Sequence, residues 1–298
     1  MKKNTLTIFS LALLTAATAN AAQTGAQFLK IDTDARLSGM ASAGTASSLG
    51  INSLGYNPAG LSAITGLEVA FSHSKWLMDA NHDFIGFGLP VKNMAFGLGV
   101  TRLSNSLIDG RGEDRSASGG YSAYDQAVSL GFGYKNLGGA VKYIQSSIAG
   151  VRAEAFAVDL GARRKLSRLP VTLGIGVQNL GNGIRYLSQR DNLPLSVNAG
   201  VTVMAIPGMA LALDVKRLVY DKQTVFSAGT EYAILTGSNM GFALRGGYGL
   251  TGLTTQSNGK SGLSVGAGVM ALGAQLDYAV SPETGLGSIQ RMTLKKKF

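Results

Sequence analysis

Bulky apolar residues occupy alternate positions along most of this chain, and the positions between them are small. Met94, Phe96, Leu98 and Val100 alternate with Ala95, Gly97, Gly99 and Thr101; Val128, Leu130, Phe132 and Tyr134 alternate with Ala127, Ser129, Gly131 and Gly133. A period of two places all the bulky groups on one face of a β-strand. A water-facing sheet would carry Lys and Glu on the opposite face. Here that face is Gly, Ala, Ser and Thr, which suits a sheet closed on itself with lipid outside and a crowded lumen within. The pattern predicts about fourteen strands of roughly ten residues, the length a tilted membrane strand needs. They fall near 67–76, 82–90, 93–103, 124–135, 137–147, 152–163, 169–178, 193–205, 208–217, 223–234, 239–250, 261–270, 272–280 and 287–298. Tight links are expected at Lys92-Asn93, Lys135-Asn136, Pro207-Gly208, Thr236-Gly237-Ser238 and near Ala271. They alternate with longer polar loops, chiefly Ser104 to Ala123 and Asn179 to Asn192. Outer-membrane barrels sort their connections in this way, with short turns on the periplasmic side. The fold class expected is therefore all-β, a transmembrane antiparallel barrel, in preference to a secreted β-sandwich.

The compartment follows from the opening residues. Lys2 and Lys3 precede an apolar stretch from Leu6 to about Ala17, and Ala19-Asn20-Ala21 supplies a small-x-small cleavage site. This reads as a signal peptide over residues 1–22, too short to span a bilayer. Outer-membrane lipid of a Gram-negative-type bacterium is then the first expected partner. The 298 residues include no cysteine, so disulfides and thiolate metal sites are excluded. The 41 glycines are too many for an ordinary globular domain and too dispersed for a linker. The formal charge of +10 falls to +8 without Lys2 and Lys3. Much of it lies in Arg163, Arg164, Lys165 and Arg168 and in Lys295, Lys296 and Lys297, neither run joined to a nucleic-acid recognition fold. These runs read as solvated turns and rims that face anionic head groups.

Alternation points Lys142, Asp159, Gln178, Asn198, Asp214, Glu231, Arg245, Gln275 and Asp277 inward. Such a mixed set either lines water or pairs with a plug, and pairing is how partly buried charges usually persist. Residues 23–65 lack sustained alternation and are expected to form a compact, partly helical hatch inside the lumen, ahead of a barrel over 66–298. Asn57 caps a helix start and Pro58 occupies its first turn. Phe28, Leu29 and Met40 are candidate contacts for a hydrophobic ligand between hatch and wall. Trp76, Tyr121, Tyr124 and Tyr134 read as interfacial anchors near strand ends.

Enzymatic chemistry is not expected. His73 and His82 are the only histidines, and Asp79 and Asp83 show no convergence with them, so no metal site and no cofactor is assigned. No nucleophile elbow is assigned: the Gly-x-Ser-x-Gly match Gly262-Leu263-Ser264-Val265-Gly266 lies inside the strand expected at 261–270, and the Gly-x-Gly pairs at Gly97, Gly131 and Gly174 also lie inside strands rather than opening helices. The last strand ends in Phe298, with Leu294 and Met292 at its parity and Lys296 interrupting it. A terminal aromatic on such a strand resembles the signal read by the outer-membrane assembly machinery.

Three segments carry a family resemblance: Gly25-Ala26-Gln27-Phe28-Leu29-Lys30-Ile31, Ala35-Arg36 with Gly39-Met40, and Asn57-Pro58-Ala59-Gly60-Leu61. Together with Ser72-His73 and Trp76, Gln178-Asn179-Leu180-Gly181 and Leu193-Pro194-Leu195, they resemble the PorV/PorQ family of FadL-like outer-membrane barrels over essentially the whole mature chain. The resemblance implies a fourteen-stranded barrel whose hatch gates the passage of hydrophobic compounds. That gating role carries over to Asn57, Pro58 and Ala59. It also implies, for the PorV branch, a type IX secretion component that binds and shuttles cargo proteins. Asp32, Asp34, Ala41 and Gly55-Tyr56 depart from the family pattern and bear on hatch packing. Two functions follow: transport or binding of hydrophobic small molecules, or docking of secreted cargo proteins on the loops at 104–123 and 179–192.

Overall fold

The computed structural model describes residues 24–105, 108–111, 116–236, 240–251, 262–283 and 287–298. The signal peptide expected over 1–22 lies outside them, as does most of the link expected at Thr236-Gly237-Ser238. Fourteen strands close into one antiparallel barrel. They are β1 Glu68–Lys75, β2 Asn81–Val91, β3 Met94–Ser104, β4 Ala123–Tyr134, β5 Leu137–Ile148, β6 Val151–Lys165 and β7 Val171–Gly181. The circuit continues through β8 Ser196–Ile206, β9 Met209–Leu218, β10 Gln223–Thr236, β11 Met240–Thr251, β12 Leu263–Ala271, β13 Ala274–Glu283 and β14 Gly287–Lys297. Each strand pairs with its neighbour in the chain, and β14 returns to β1 with Glu68 opposite Lys297 and Lys75 opposite Gln290. Closure leaves no row of open N–H and C=O groups for hydrocarbon to strand.

The strands observed follow the alternation closely. The largest shifts have local causes. β7 runs on to Gly181 because a bulge at Gln178-Asn179, opposite the Val158–Leu160 step of β6, absorbs one residue, with Asn179 at φ 60°. β8 begins only at Ser196, because Leu193 is buried and the Pro194 carbonyl accepts from Asn179 Nδ2 at 3.2 Å. Tight turns stand at Lys92-Asn93, Lys135-Asn136, Pro207-Gly208 and Leu272-Gly273. Leu272 and Gly273 both adopt positive φ, as a type I′ hairpin requires. At the other end, two small hairpins extend the long loops: Ile108–Arg111 with Ala117–Tyr121, and Ile184–Tyr186 with Gln189–Asp191.

The bulky parity faces outward. Ile85, Leu130, Phe156, Ile175, Leu213 and Leu244 are all exposed at mid-strand. On β6 the charged Arg152 and Glu154 sit at one end, and Phe156, Val158 and Leu160 continue the same face. An unbroken apolar girdle of this size belongs in hydrocarbon rather than water.

The N-terminal segment consists of short helices at Gln27–Lys30, Ala35–Ser38, Ile51–Gly55 and Pro58–Ala63. It packs against the small parity of the wall. A Cβ on Gly138 would lie 2.3 Å from Ala59 N, one on Gly174 2.3 Å from the Thr45 carbonyl, and one on Gly247 2.3 Å from the Met40 carbonyl carbon. The glycines of the small face therefore let the backbone of the segment approach the backbone of the strands. Three apolar clusters result. Ile51, Leu54, Leu61 and Ile64 meet Phe84, Ala95 and Ala140. Phe28 meets Ala127, Ile144, Ala153, Ala155 and Ala157. Met40 meets Ala43 and Ala212.

Candidate functional site

The site is the interface between the N-terminal segment and the inner wall. Asn57 is its most connected residue. Its Oδ1 accepts from Ala59 N at 3.1 Å, which caps the turn that Pro58 opens. Its Nδ2 donates to the carbonyls of Thr45 (2.7 Å), Ala162 (3.2 Å) and Ile175 (3.3 Å), so one amide ties the segment to β6 and β7. A Cβ on Gly161 would stand 1.9 Å from Asn57 Oδ1, which explains glycine opposite it. Gln178 Nε2 donates to the Gly55 carbonyl at 3.1 Å, and Gln178 Oε1 accepts from Asn198 Nδ2 at 2.8 Å.

The inward charges form two separate groups. Lys142 pairs with Asp159 at 2.7 Å and donates to Asn179 Oδ1 at 2.8 Å, while Asp159 also accepts from Asn179 N at 2.7 Å. This group lies within the wall and braces the bulge. The second group reaches into the segment. Arg36 grips both oxygens of Glu231 at 2.8 Å, Arg245 Nε bonds the same carboxylate at 2.6 Å, and Arg245 Nη1 bonds Asp277 at 2.8 Å. Arg36 thus meets one carboxylate in the bidentate fork that suits a guanidinium, and Arg245 bridges two. Asp214 accepts from Thr45 N at 2.6 Å. Gln275 donates to Asp277 at 2.8 Å.

Residues that depart from the family pattern have local roles. Asp34 caps the helix at Ala35–Ser38 by accepting from Arg36 N at 3.1 Å. Asp32 accepts from Ser42 Oγ at 2.7 Å and stands 3.8 Å from Arg291. Ala41 adopts φ 52°, a conformation glycine takes without strain. Arg36 and Arg291 were not singled out as site residues by the sequence. Arg291 is buried and donates to Ser38 Oγ at 3.1 Å. The parity of β14, which turns Arg291 and Thr293 inward together, was the available signal.

Phe28, Leu29 and Met40 do not share one pocket. Phe28 is buried beneath Ile184 and Leu193 of the 182–195 loop, with Leu29, Ile31, Leu103 and Tyr186 packed at its edge. Tyr186 is latched by hydrogen bonds running through Ser146 to Asp125. Met40 lies in a different cluster. A cavity of about 320 Å³ opens elsewhere, bounded by Lys30, Asp32, Ser42, Trp76, Asp214 and Arg291 among others, and it is lined by neither Phe28 nor Met40. An apolar groove of about 480 Å³ lies on β8–β11, lined by Val201, Leu213, Phe226, Tyr248 and Leu250, and it shares Asp214 and Ser227 with that cavity. Of the interfacial aromatics, Tyr124 stacks under Arg102 at 4.7 Å and Tyr134 under Lys135 at 5.0 Å. Contrary to the expectation that Asp83 does not converge with the histidines, the antiparallel register sets His73 opposite Asp83 and the two bond at 2.7 Å. Among the described residues no three His, Asp or Glu side chains converge as metal ligands.

The same architecture occurs in solved structures. The chain superposes on the CymD monoaromatic hydrocarbon channel with a TM-score of 0.66 at 14% identity, over 89% of this chain and 97% of that one. The P. putida toluene transporter TodX matches with a TM-score of 0.60 at 13% identity, over 90% and 99%. A Pseudomonas aeruginosa FadL homologue matches with a TM-score of 0.56 at 10% identity, over 89% and 98%. The chain has the fold of these FadL-type channels. No family model and no curated protein matches the sequence. The PorV/PorQ assignment rests on the resemblance of the segments named above.

Proposed function

We propose that this protein is a FadL-like outer-membrane barrel that passes or binds hydrophobic small molecules, with residues 23–65 as the hatch that gates its lumen. One observation carries the reading: Phe28 of the N-terminal segment is packed in an apolar cluster with Ile144, Ala127, Ala153, Ala155 and Ala157 of the wall and with Ile184 and Leu193 of the long loop. An apolar solute that took a place in this cluster would gain roughly 25 cal/mol per Å² of surface removed from water. Displacing the Ile184–Tyr186 hairpin opens it to the long-loop side. Likeness to channels for toluene and other monoaromatic hydrocarbons supports the same class of solute. Asn57, Pro58 and Ala59 are the gating element in this reading, because they hold the segment to the wall where a through-path would run.

The test is binding of toluene, a neutral monoaromatic probe, to the detergent-purified full chain, followed by uptake into proteoliposomes. Saturable binding that Phe28→Asp abolishes supports the reading. Absence of binding and uptake, with cross-links from the 104–123 loop to a secreted protein, overturns it in favour of the cargo-docking function that the PorV resemblance implies. The 179–192 loop gives little support to docking, since Ile184 and Tyr186 turn inward onto Phe28. Recognition of Phe298 by the assembly machinery belongs to the same proposal. Its ring is exposed, and its backbone N–H bonds the Leu67 carbonyl at 2.9 Å beside the seam where β14 meets β1.

A further inference from the structure

The two ends of the barrel differ sharply in charge. The short-turn end carries nine cations: Lys92, Lys135, four between positions 163 and 168, and three between 295 and 297. The carboxylates near that end are already engaged: Glu68 is buried and bonded to Ile51 N at 3.0 Å and Lys297 Nζ at 3.3 Å, and Glu231 and Asp277 are held by Arg36 and Arg245. The long-loop end mixes the signs, as in Asp79, Asp83, Arg102, Arg152, Glu154 and Asp191, and the lumen charges pair among themselves.

Position matters as much as number. Lys92, Arg164, Lys165 and Arg168 are exposed and form no ion pair among the described residues. The same rim presents Leu169, Leu272 and Phe298, all more than half exposed. Lys296 lies over the Phe298 ring at 5.7 Å and donates to the Leu272 carbonyl at 2.5 Å. Cations interleaved with protruding apolar tips sit where hydrocarbon gives way to head groups. The charged turns follow one another around the circumference from β13 through β1 to β7. Of the other described tight turns, Leu272-Gly273 is uncharged but takes Lys296 on its carbonyl, and Pro207-Gly208 carries no charge.

We infer that this arc is a binding site for anionic phospholipid head groups in the leaflet that the short turns enter. The occupant is a lipid rather than an acidic protein, because the cations are continuous with the apolar girdle. A protein partner would have to displace lipid from Leu169, Leu272 and Phe298 to reach them. The site is independent of what crosses the lumen.

The experiment places the full chain, refolded in neutral detergent, in bilayer discs of phosphatidylglycerol and phosphatidylcholine, and measures retained lipid by native mass spectrometry. The wild type is expected to retain phosphatidylglycerol preferentially. The variant Lys92→Ser, Arg164→Ser, Lys165→Ser, Arg168→Ser should lose about tenfold or more of that preference, since each cation near a charged surface contributes roughly 1 kcal/mol. Arg152→Ser with Arg190→Ser, at the opposite end, should leave it unchanged. Arg164→Lys with Arg168→Lys should retain it. Heat-modifiable electrophoretic mobility verifies that each variant is a folded barrel. No preference in the wild type, or equal loss in the two serine variants, overturns the site. Binding of polyglutamate in discs without any phosphatidylglycerol preference reassigns the arc to a protein partner and overturns it as well.

Discussion

The N-terminal segment meets the wall in two contrasting ways. Against β2–β5 the contact is dry: Ile51, Leu54 and Leu61 close on Phe84, Ala95 and Ala140, and glycines let the backbones approach. Against β9–β14 it is polar, through Arg36, Thr45, Ser38 and Ala35, and it borders the 320 Å³ cavity. The two halves would yield differently. Dry packing cannot be opened without exposing apolar surface to water, whereas an ion pair beside a polar cavity can exchange its partner for water. If the segment gates the lumen as proposed above, the apolar sector would be its fixed side and the polar sector its releasable edge.

That contrast can be broken most strongly at the close-approach glycines. Gly161→Val or Gly138→Val places side-chain atoms where Asn57 or Ala59 stands. We expect the segment to undock, seen as a large rise in ion conductance across planar bilayers and as new protease cleavage within residues 24–65. Gly246→Ala, whose Cβ would meet only Thr230 Cγ2 at 4.0 Å, is the control and should leave conductance unchanged.

Phe28→Ala is expected to cost about 3 kcal/mol in urea unfolding from detergent, the usual penalty for emptying a large buried aromatic site. It should also weaken toluene binding. Arg36→Ala should cost less, about 2 kcal/mol, because Glu231 keeps Arg245. Its signature is local: hydrogen exchange should accelerate at Thr45–Ser48 on the polar side and stay slow at Ile51–Leu61. Asn57→Ala removes a cap, a bond within the segment and two wall bonds and is expected to cost about 1–2 kcal/mol. The smallest effect is a gain. Ala41→Gly relieves a left-handed residue and should stabilise by roughly 0.5 kcal/mol, the strain relieved less the added freedom of the unfolded chain.

Much of this molecule was legible in its sequence because alternation is a local code. A strand with one lipid face and one lumen face must repeat every two residues, so Met94–Thr101 and Ala127–Tyr134 declare strand, face and register together. The same parity sets Lys142, Asp159, Asp214, Glu231, Arg245 and Asp277 on the face opposite the bulky one, and the structure shows these side chains largely shielded from solvent. Asn57 and Pro58 declared a helix start through local capping chemistry. Which charges meet was not legible. Glu231 lies 195 residues from Arg36, and no spacing rule relates a barrel strand to the segment beside it. The separation of Phe28 from Met40 was equally hidden, because short helices without a repeating pattern do not announce where they turn.

The sequence by itself determined the closed sheet, its direction of hydrophobicity, the sorting of turns from loops and the cationic rim, since each follows from period, composition and position along the chain. Only the tertiary structure decided that the inner face splits into a dry sector and a wet one. That division depends on which side chains of residues 24–65 arrive opposite which strands, and packing across the lumen is set by shape and partner, not by neighbours in sequence.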